Sequence, residues 1–154
     1  MADVAILMGS DSDLVVMKEA ADILKQFGVE YEVAILSAHR LSAETVAFAE
    51  QAEERGLKVI IAGAGGAAHL AGVLASNTVV PVIGVPISGG ALNGVDALYA
   101  TVQMPKGIPV ATVAINGAAN AGLLALHMMA LSNEDINRKL KDYRIKMANE
   151  VRNK

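Results

Sequence analysis

The sequence predicts an α/β fold in which a parallel sheet is wound by helices on both faces. Short apolar runs of strand length alternate along the 154 residues with longer segments whose apolar residues recur at helical spacing. The runs are continuously apolar, as in strands that are buried on both faces. No linker or low-complexity segment divides the chain, so we expect a single domain spanning residues 1–154.

Each predicted strand is an apolar run, and each predicted helix is the periodic segment that follows it. Gly28 and Gly56 supply helix stops, and Ser42 is the predicted N-cap of the second helix. Residue 117 follows the last strand and opens a fifth helix. We expect strands at 4–8, 31–36, 58–62, 82–85 and 110–115, and helices at 14–27, 42–55, 67–77, 94–103 and 117–131.

Residues 133–152 predict an extra C-terminal helix. Its segment is heavily charged but carries one narrow apolar stripe, and Ser132 with Asp135 resembles a capping box at its start. Such a helix either folds back on its own domain or packs on a neighbouring subunit. The stripe consists of Ile136, Leu140, Tyr143, Met147 and Val151.

Composition excludes several classes of partner. The net charge of −3 gives no basic footprint, so we expect neither nucleic acid nor a membrane surface as a partner. The absence of cysteine excludes disulfides, thiolate metal sites and a cysteine nucleophile, and suits a reducing compartment. The N-terminal residues carry Asp3 and lack the basic residues that begin a signal peptide. We therefore expect no signal peptide and a cytoplasmic protein.

The central half of the chain is almost free of charge. Between residues 59 and 133 the only acidic or basic side chains are Asp96 and Lys106. Gly, Pro and Asn cut this stretch into pieces too short to cross a bilayer. The helices predicted at 67–77 and 117–131 show no charged face, so we expect them to face other subunits of a homo-oligomer.

Two polar loops follow the first two predicted strands. The carboxyl ends of parallel strands lie along one edge, so both loops should face a common crevice. Ser10 and Asp13 stand at the start of a helix, where free N–H groups attract an anion, although plain N-capping explains the same residues. Arg40 offers a fork suited to phosphate, and His39 is a side chain suited to proton transfer near neutral pH. The alternative for His39 is a histidine whose ring is satisfied by backbone carbonyls.

A glycine-rich segment at 63–68 follows the third predicted strand. It matches a dinucleotide fingerprint only in part, because no acidic residue follows about 20 positions later. Its glycines instead allow close approach of the backbone to a small ligand. His69, expected three residues into the next helix, is either a polar group of the crevice or a buried interface residue. His127 is expected to be structural.

Three of these segments, taken together, resemble the 5-(carboxyamino)imidazole ribonucleotide mutases of purine biosynthesis. They are Met-Gly-Ser-Asp-Ser-Asp at 8–13, Ser-Ala-His-Arg at 37–40 and Gly-Ala-Gly-Gly-Ala-Ala-His-Leu at 63–70. Later runs at 92–96 and 102–110 match as well, so the resemblance covers nearly the whole chain. It implies a flavodoxin-like three-layer sandwich, assembled as an octamer, with a ribonucleotide as substrate and with neither metal nor organic cofactor.

The resemblance also implies roles for individual residues in the rearrangement of 5-(carboxyamino)imidazole ribonucleotide to its 4-carboxy isomer. Decarboxylation and recarboxylation would use His39 as the acid and base. The remaining roles concern substrate binding. Phosphate and ribose would be bound by Ser10, Asp13 and Arg40, and the migrating carboxylate would be surrounded by Ser37, Gly65 and His69.

The sequence departs from the family pattern at three loops and leaves two other functions open. Leu41-Ser42 stands where many members have Thr-Pro, Ser88-Gly89 where many have Gln-Ser, and the stretch at 116–117 is shorter. The nearest alternative is a carboxylase that uses aminoimidazole ribonucleotide and CO2 directly. A receiver-like signalling module shares the alternating pattern but needs an Asp after the third strand, where this chain has Ala-Gly at 62–63.

Overall fold

The computed structural model describes residues 1–154 and contains a five-stranded sheet. The strand order is β2-β1-β3-β4-β5, and all four neighbouring pairs run parallel. This is the order of flavodoxin-like doubly wound folds, so the predicted α/β class is confirmed. The strands are β1 (Val4–Met8), β2 (Tyr31–Ile35), β3 (Val59–Gly65), β4 (Val82–Ile87) and β5 (Ala111–Thr112).

Six helices cover the two faces of the sheet. They are α1 (Leu14–Gln26), α2 (Ser42–Ala52), α3 (Leu70–Ala75), α4 (Val95–Val102), α5 (Ala118–Ala130) and α6 (Glu134–Arg152). The larger core packs α1, α5 and α6 against one face, and a smaller core packs α2 and α3 against the other. Helix α4 lies beside α3 over β4, since a Cβ added at Gly84 would meet the side chains of Thr101 on α4 and Ala71 on α3. None of the six has the length and apolar character needed to span a bilayer.

The strands differ in how completely they are covered. All five residues of the central strand β1 are fully buried. Strand β2 lies at the edge of the sheet, and its Val33 and Ile35 are 44% and 50% exposed. The loop after β1 therefore follows a fully buried strand, whereas the loop after β2 follows a partly exposed one.

On the α2 and α3 face, one predicted helix cap and one predicted helix start are wrong. Ser42 is the first helical residue of α2 rather than its N-cap; Leu41 holds the cap position, and its side chain makes no cap hydrogen bond. Helix α3 begins at Leu70, because Gly66 adopts φ +60° and the backbone makes tight turns before the helix. His69 consequently stands just before α3 instead of within it.

Helix α5 is covered within this chain. It packs between α1 and α6 over the sheet, and about half of its residues are buried. The buried side of this uncharged helix is therefore covered by α1, α6 and the sheet. Large apolar side chains are exposed elsewhere, including Val15 at 82% and Tyr99 at 62%.

Helix α6 folds back on its own domain along its first half. Ile136 and Leu140 are buried, and the Tyr143 ring lies 5.6 Å from the Phe27 ring between centroids. Met147 and Val151, at the far end of the stripe, are 42% and 70% exposed. The predicted capping box is wrong, since Asn133 caps α6 by accepting from the Ile136 N–H at 3.0 Å, and Ser132 does not. The two residues have similar capping preference, so the sequence did not separate them.

The predicted strand at 110–115 is reduced to a two-residue strand, β5. Beyond it, Asn116 adopts the left-handed φ of +60° and bonds to the loop after β4. Its Oδ1 accepts from the Ser88 N–H at 2.9 Å, and its Nδ2 donates to Ser88 Oγ at 2.8 Å. Two of the positions that depart from the family pattern thus contact each other.

Candidate active site

The loops after β1, β2 and β3 meet at the carboxyl edge of the sheet around one cavity of about 270 Å³. This is the edge where ligands bind in doubly wound sheets, at the point where the chain reverses its strand order. The seven residues named above for catalysis and binding all lie on the cavity wall. The wall consists of Gly9, Ser10, Asp13, Ser37, Ala38, His39, Arg40, Ala64, Gly65, Ala67, His69 and Leu70.

Two imidazole rings lie in direct contact on the cavity wall. His39 Nε2 and His69 Nδ1 are 2.6 Å apart, and the rings meet edge to face at 80°. One nitrogen must donate and the other accept, so this contact holds a single proton. Both side chains are exposed to the cavity. The structure places His39 against a polar partner within the site rather than against backbone carbonyls of the core.

Arg40 is held by its neighbours without forming an ion pair. Its Nε donates to Ser37 Oγ at 3.1 Å, and its Nη2 donates to the Gly9 carbonyl at 3.4 Å. None of the five ion pairs of the chain involves Arg40. Its positive charge, on the wall of a cavity, is therefore free to bind an anionic group.

The Ser37 hydroxyl lies on the cavity wall and bonds to its neighbour Arg40. It accepts from both the backbone N–H and the Nε of Arg40, at 3.2 and 3.1 Å. These bonds orient the guanidinium. The sequence placed Ser37 and Arg40 three residues apart but did not show that their side chains bond.

The first loop supplies hydroxyls and a carboxyl at the start of α1. Ser10 Oγ lies 3.0 Å from Ser12 Oγ and accepts from the Ser12 N–H at 3.3 Å, so Ser10 caps the short 3-10 turn Asp11–Asp13. Burial raises the pKa of the Asp13 carboxyl; a hydrogen bond from the Ser10 backbone lowers it, and the nearby charge of Asp11 raises it. Both the capping and the ligand-binding interpretations of this loop fit the geometry.

Gly65 and the residues around it form the third side of the cavity. A Cβ at Gly65 would lie 3.2 Å from the Ile87 carbonyl oxygen, so packing as well as ligand access favours glycine there. Sequence reasoning missed the roles of Gly9 and Leu70 as wall residues, although both lie within the quoted motifs. Nowhere do three His, Cys, Asp or Glu side chains cluster so that they could hold a metal ion.

Comparison with known proteins gives relatives along nearly the whole chain. The N5-carboxyaminoimidazole ribonucleotide mutase of Thermotoga maritima is 57% identical over 98% of this chain and 88% of its own length. The enzyme of the same name from Pyrococcus horikoshii is 60% identical, over 98% and 85%. The phosphoribosylaminoimidazole carboxylase of Saccharomyces cerevisiae is 53% identical over 96% of this chain but only 26% of its own length.

A solved structure and a family profile agree with these relatives. The crystal structure of Treponema denticola PurE superimposes with a TM-score of 0.88 at 32% identity, covering 96% of this chain and 92% of that one. The profile of the AIR carboxylase family matches residues 3–150. On this evidence the chain belongs to the AIR carboxylase family.

Proposed function

We propose that this chain is an isomerase of purine biosynthesis that converts 5-(carboxyamino)imidazole ribonucleotide to 4-carboxy-5-aminoimidazole ribonucleotide. The high identity to two proteins named as that mutase supports the reaction. The observation that carries the proposal is one cavity holding the unpaired Arg40 beside a helix start, with the His39–His69 pair on its wall.

The reaction needs few chemical groups. The bond between the exocyclic nitrogen and the carboxylate carbon breaks, its electron pair stays on nitrogen, and CO2 is released. Carbon 4 of the ring then attacks the same CO2. A proton must be delivered to the nitrogen and another removed from carbon 4, so one imidazole that gives and then takes a proton completes the cycle. We assign this acid and base role to His39.

Binding of the phosphate would hold the ring in place during transfer. Arg40 and the N-terminus of α1 supply positive charge for the phosphate, and Ser10 and Asp13 supply polar contacts to phosphate and ribose. Remote binding energy of this kind keeps the reacting atoms close. We place the migrating carboxylate near Gly65 and His69, and the CO2 must be recaptured there before it escapes. Neither a metal nor an organic cofactor enters this scheme.

The alternative activity is that of a carboxylase that uses aminoimidazole ribonucleotide and CO2 directly, since some relatives carry the carboxylase name. Purified protein offered each substrate separately distinguishes them. We expect rapid product from 5-(carboxyamino)imidazole ribonucleotide alone. Rapid product only from aminoimidazole ribonucleotide plus CO2 would refute the mutase. Family membership removes the receiver-like alternative, as does β3, which ends at Gly65 and carries no Asp at its carboxyl end.

We further propose that the protein is a cytoplasmic homo-oligomer, with the octamer that the family resemblance implies. The support is a row of exposed apolar side chains on and before α4, which an isolated subunit would leave in water. Light scattering of the purified chain measures the mass directly, and a monomer at micromolar concentration would contradict this proposal. The row comprises Leu92, Val95, Tyr99 and Val102, which are 58%, 44%, 62% and 43% exposed.

A further inference from the structure

Thr45 is a fully buried polar residue whose hydroxyl contacts the turn at 37–41, which carries His39. Only two polar residues of the chain are classed as buried, Thr45 and Thr101. A buried hydroxyl costs free energy unless it is hydrogen-bonded. Thr45 Oγ1 donates to the Leu41 carbonyl at 2.8 Å, and the Ser37 carbonyl lies at 3.5 Å as a weaker second acceptor.

These two carbonyls mark the ends of the turn that carries His39 and Arg40. The Leu41 N–H donates to the Ser37 carbonyl at 2.7 Å, which closes the turn, and the Thr45 N–H donates to the Leu41 carbonyl at 3.0 Å. The Thr45 hydroxyl reaches both carbonyls from inside the first turn of α2. It therefore links the closed turn at 37–41 to a helix that is packed in the core.

The local sequence gives this link unusual importance. The cap position of α2 is occupied by Leu41, whose side chain offers no hydrogen bond to the helix start. A Ser or Thr at that position would have anchored the turn by capping. In this chain the available hydroxyl stands four residues later and points back.

We propose that Thr45 is a positioning residue of the active site. Its hydroxyl holds the turn at 37–41 so that His39 meets His69 and Arg40 meets Gly9. Thr45 itself does not line the cavity, so it acts only through the two residues on the turn. This inference rests on the proposed function insofar as the turn carries the catalytic histidine.

The test compares Thr45→Val, which keeps the shape and removes the hydroxyl, with Thr45→Ser, which keeps the hydroxyl. We expect the valine variant to lose about 10-fold in kcat/KM, through both a lower kcat and a higher KM, as the loss of one hydrogen bond that orients reacting groups. The kcat/KM of the serine variant should stay within about 3-fold of that of the original chain. Thr101→Val is the control for the same exchange at the other buried threonine, which does not line the cavity.

A purely structural role predicts a different pattern. Thr45→Val would then lower the melting temperature and, like Thr101→Val, leave kcat and KM unchanged below it, and this result would overturn the proposal. Should the valine variant not fold, Thr45→Ala compared with Thr45→Ser gives the same contrast.

A measurement without turnover separates this inference from the proposed reaction. The 15N spectrum of the His39 ring reports its hydrogen bond to His69 whatever the substrate is. We expect the signal to change in Thr45→Val and to be restored in Thr45→Ser. An unchanged ring signal in the valine variant would overturn the positioning role, and failure of the mutase assay on the unaltered chain would overturn only the reaction.

Discussion

The two loops that build the cavity begin from strands of opposite character. The first loop follows β1, which is fully buried and paired on both sides. Its Gly9 N–H donates to the Gly63 carbonyl at 3.3 Å, so the loop begins inside the sheet's bonding pattern. The second loop follows the edge strand β2, whose Val33 and Ile35 are about half exposed.

The two loops differ both in what supports them and in which polar groups they carry. Packing of β1 and the start of α1 fix the first loop, which offers hydroxyls and N–H groups to an anion. The turn of the second loop is closed by the backbone bond from Leu41 to Ser37 and is further supported by the side chains of Ser37 and Thr45. It carries His39 and Arg40. In the proposed mechanism, the loop after the buried strand offers hydroxyls and N–H groups, and the loop after the edge strand would supply the proton carrier and the cation.

Removing the imidazole should produce the largest effect. We expect His39→Asn to lower kcat by about 100-fold or more while substrate affinity changes only a few-fold, because the amide cannot exchange a proton near neutral pH. Steady-state kinetics together with calorimetric binding of the product measures both quantities.

His127→Asn is the matched control for that experiment. His127 lies on α5, where its Nδ1 contacts the Leu123 carbonyl at 2.7 Å, and it does not line the cavity. We expect its turnover to be unchanged. Near-normal turnover in His39→Asn would remove His39 from the mechanism and assign the second loop to binding alone.

Removing the guanidinium should have the next largest effect, on binding. We expect Arg40→Ala to raise KM by about 10- to 100-fold with a smaller change in kcat, as for the loss of hydrogen bonds to a charged group. Arg40→Lys should recover part of the loss, since it restores the charge without the fork.

Arg138→Ala provides the control for the loss of a positive charge. Arg138 pairs with Asp135 on the exposed surface of α6, away from the cavity. Its kinetics should match those of the unaltered chain. A KM that does not change in Arg40→Ala would contradict phosphate binding by the second loop.

Much of this arrangement could be predicted from sequence because it depends on local patterns. Continuous apolar runs located all five strands, and the rule that parallel strands end at one edge brought the first two loops together. The resemblance to the mutases added Gly65 and His69 to the site. The sequence could not show that His39 touches His69, because that contact depends on the exact paths of two loops 30 residues apart. The late start of α3 was missed because residues 67–69, which make tight turns after Gly66, have a composition that a helix also accepts.

Charge patterning was informative but not specific about its cause. The uncharged segment at 117–131 indicated burial correctly, but the sequence could not tell cover by α6 from cover by another subunit. That distinction depends on whether α6 folds back on its own domain. The narrow apolar stripe of α6 is compatible with either arrangement. Only the first half of the stripe, including Ile136 and Leu140, packs on this domain.

Asp13 of the first loop gives the smallest predicted effect, on stability. Burial raises the pKa of its carboxyl, so the folded chain binds the proton more tightly than the unfolded chain does. Stability is therefore lost as pH rises through the interval between the unfolded and folded pKa values, and the penalty is fully present above it. Below about pH 3.9 the penalty disappears, since both states are protonated.

We expect Asp13→Asn to stabilise the unliganded chain slightly at pH 7, by up to about 0.5 kcal/mol, and to leave it unchanged at pH 3. Urea unfolding at the two pH values measures this. Asp11→Asn removes a charge from the same turn, and its gain should be smaller because burial is the larger cause of the Asp13 shift. If Asp13 also binds the ribose, KM must rise in Asp13→Asn as stability improves. A gain in stability with unaltered KM would mean that the Asp13 carboxyl lowers the stability of the chain without binding the ribose. Binding by the first loop would then be assigned to Ser10 and the helix start.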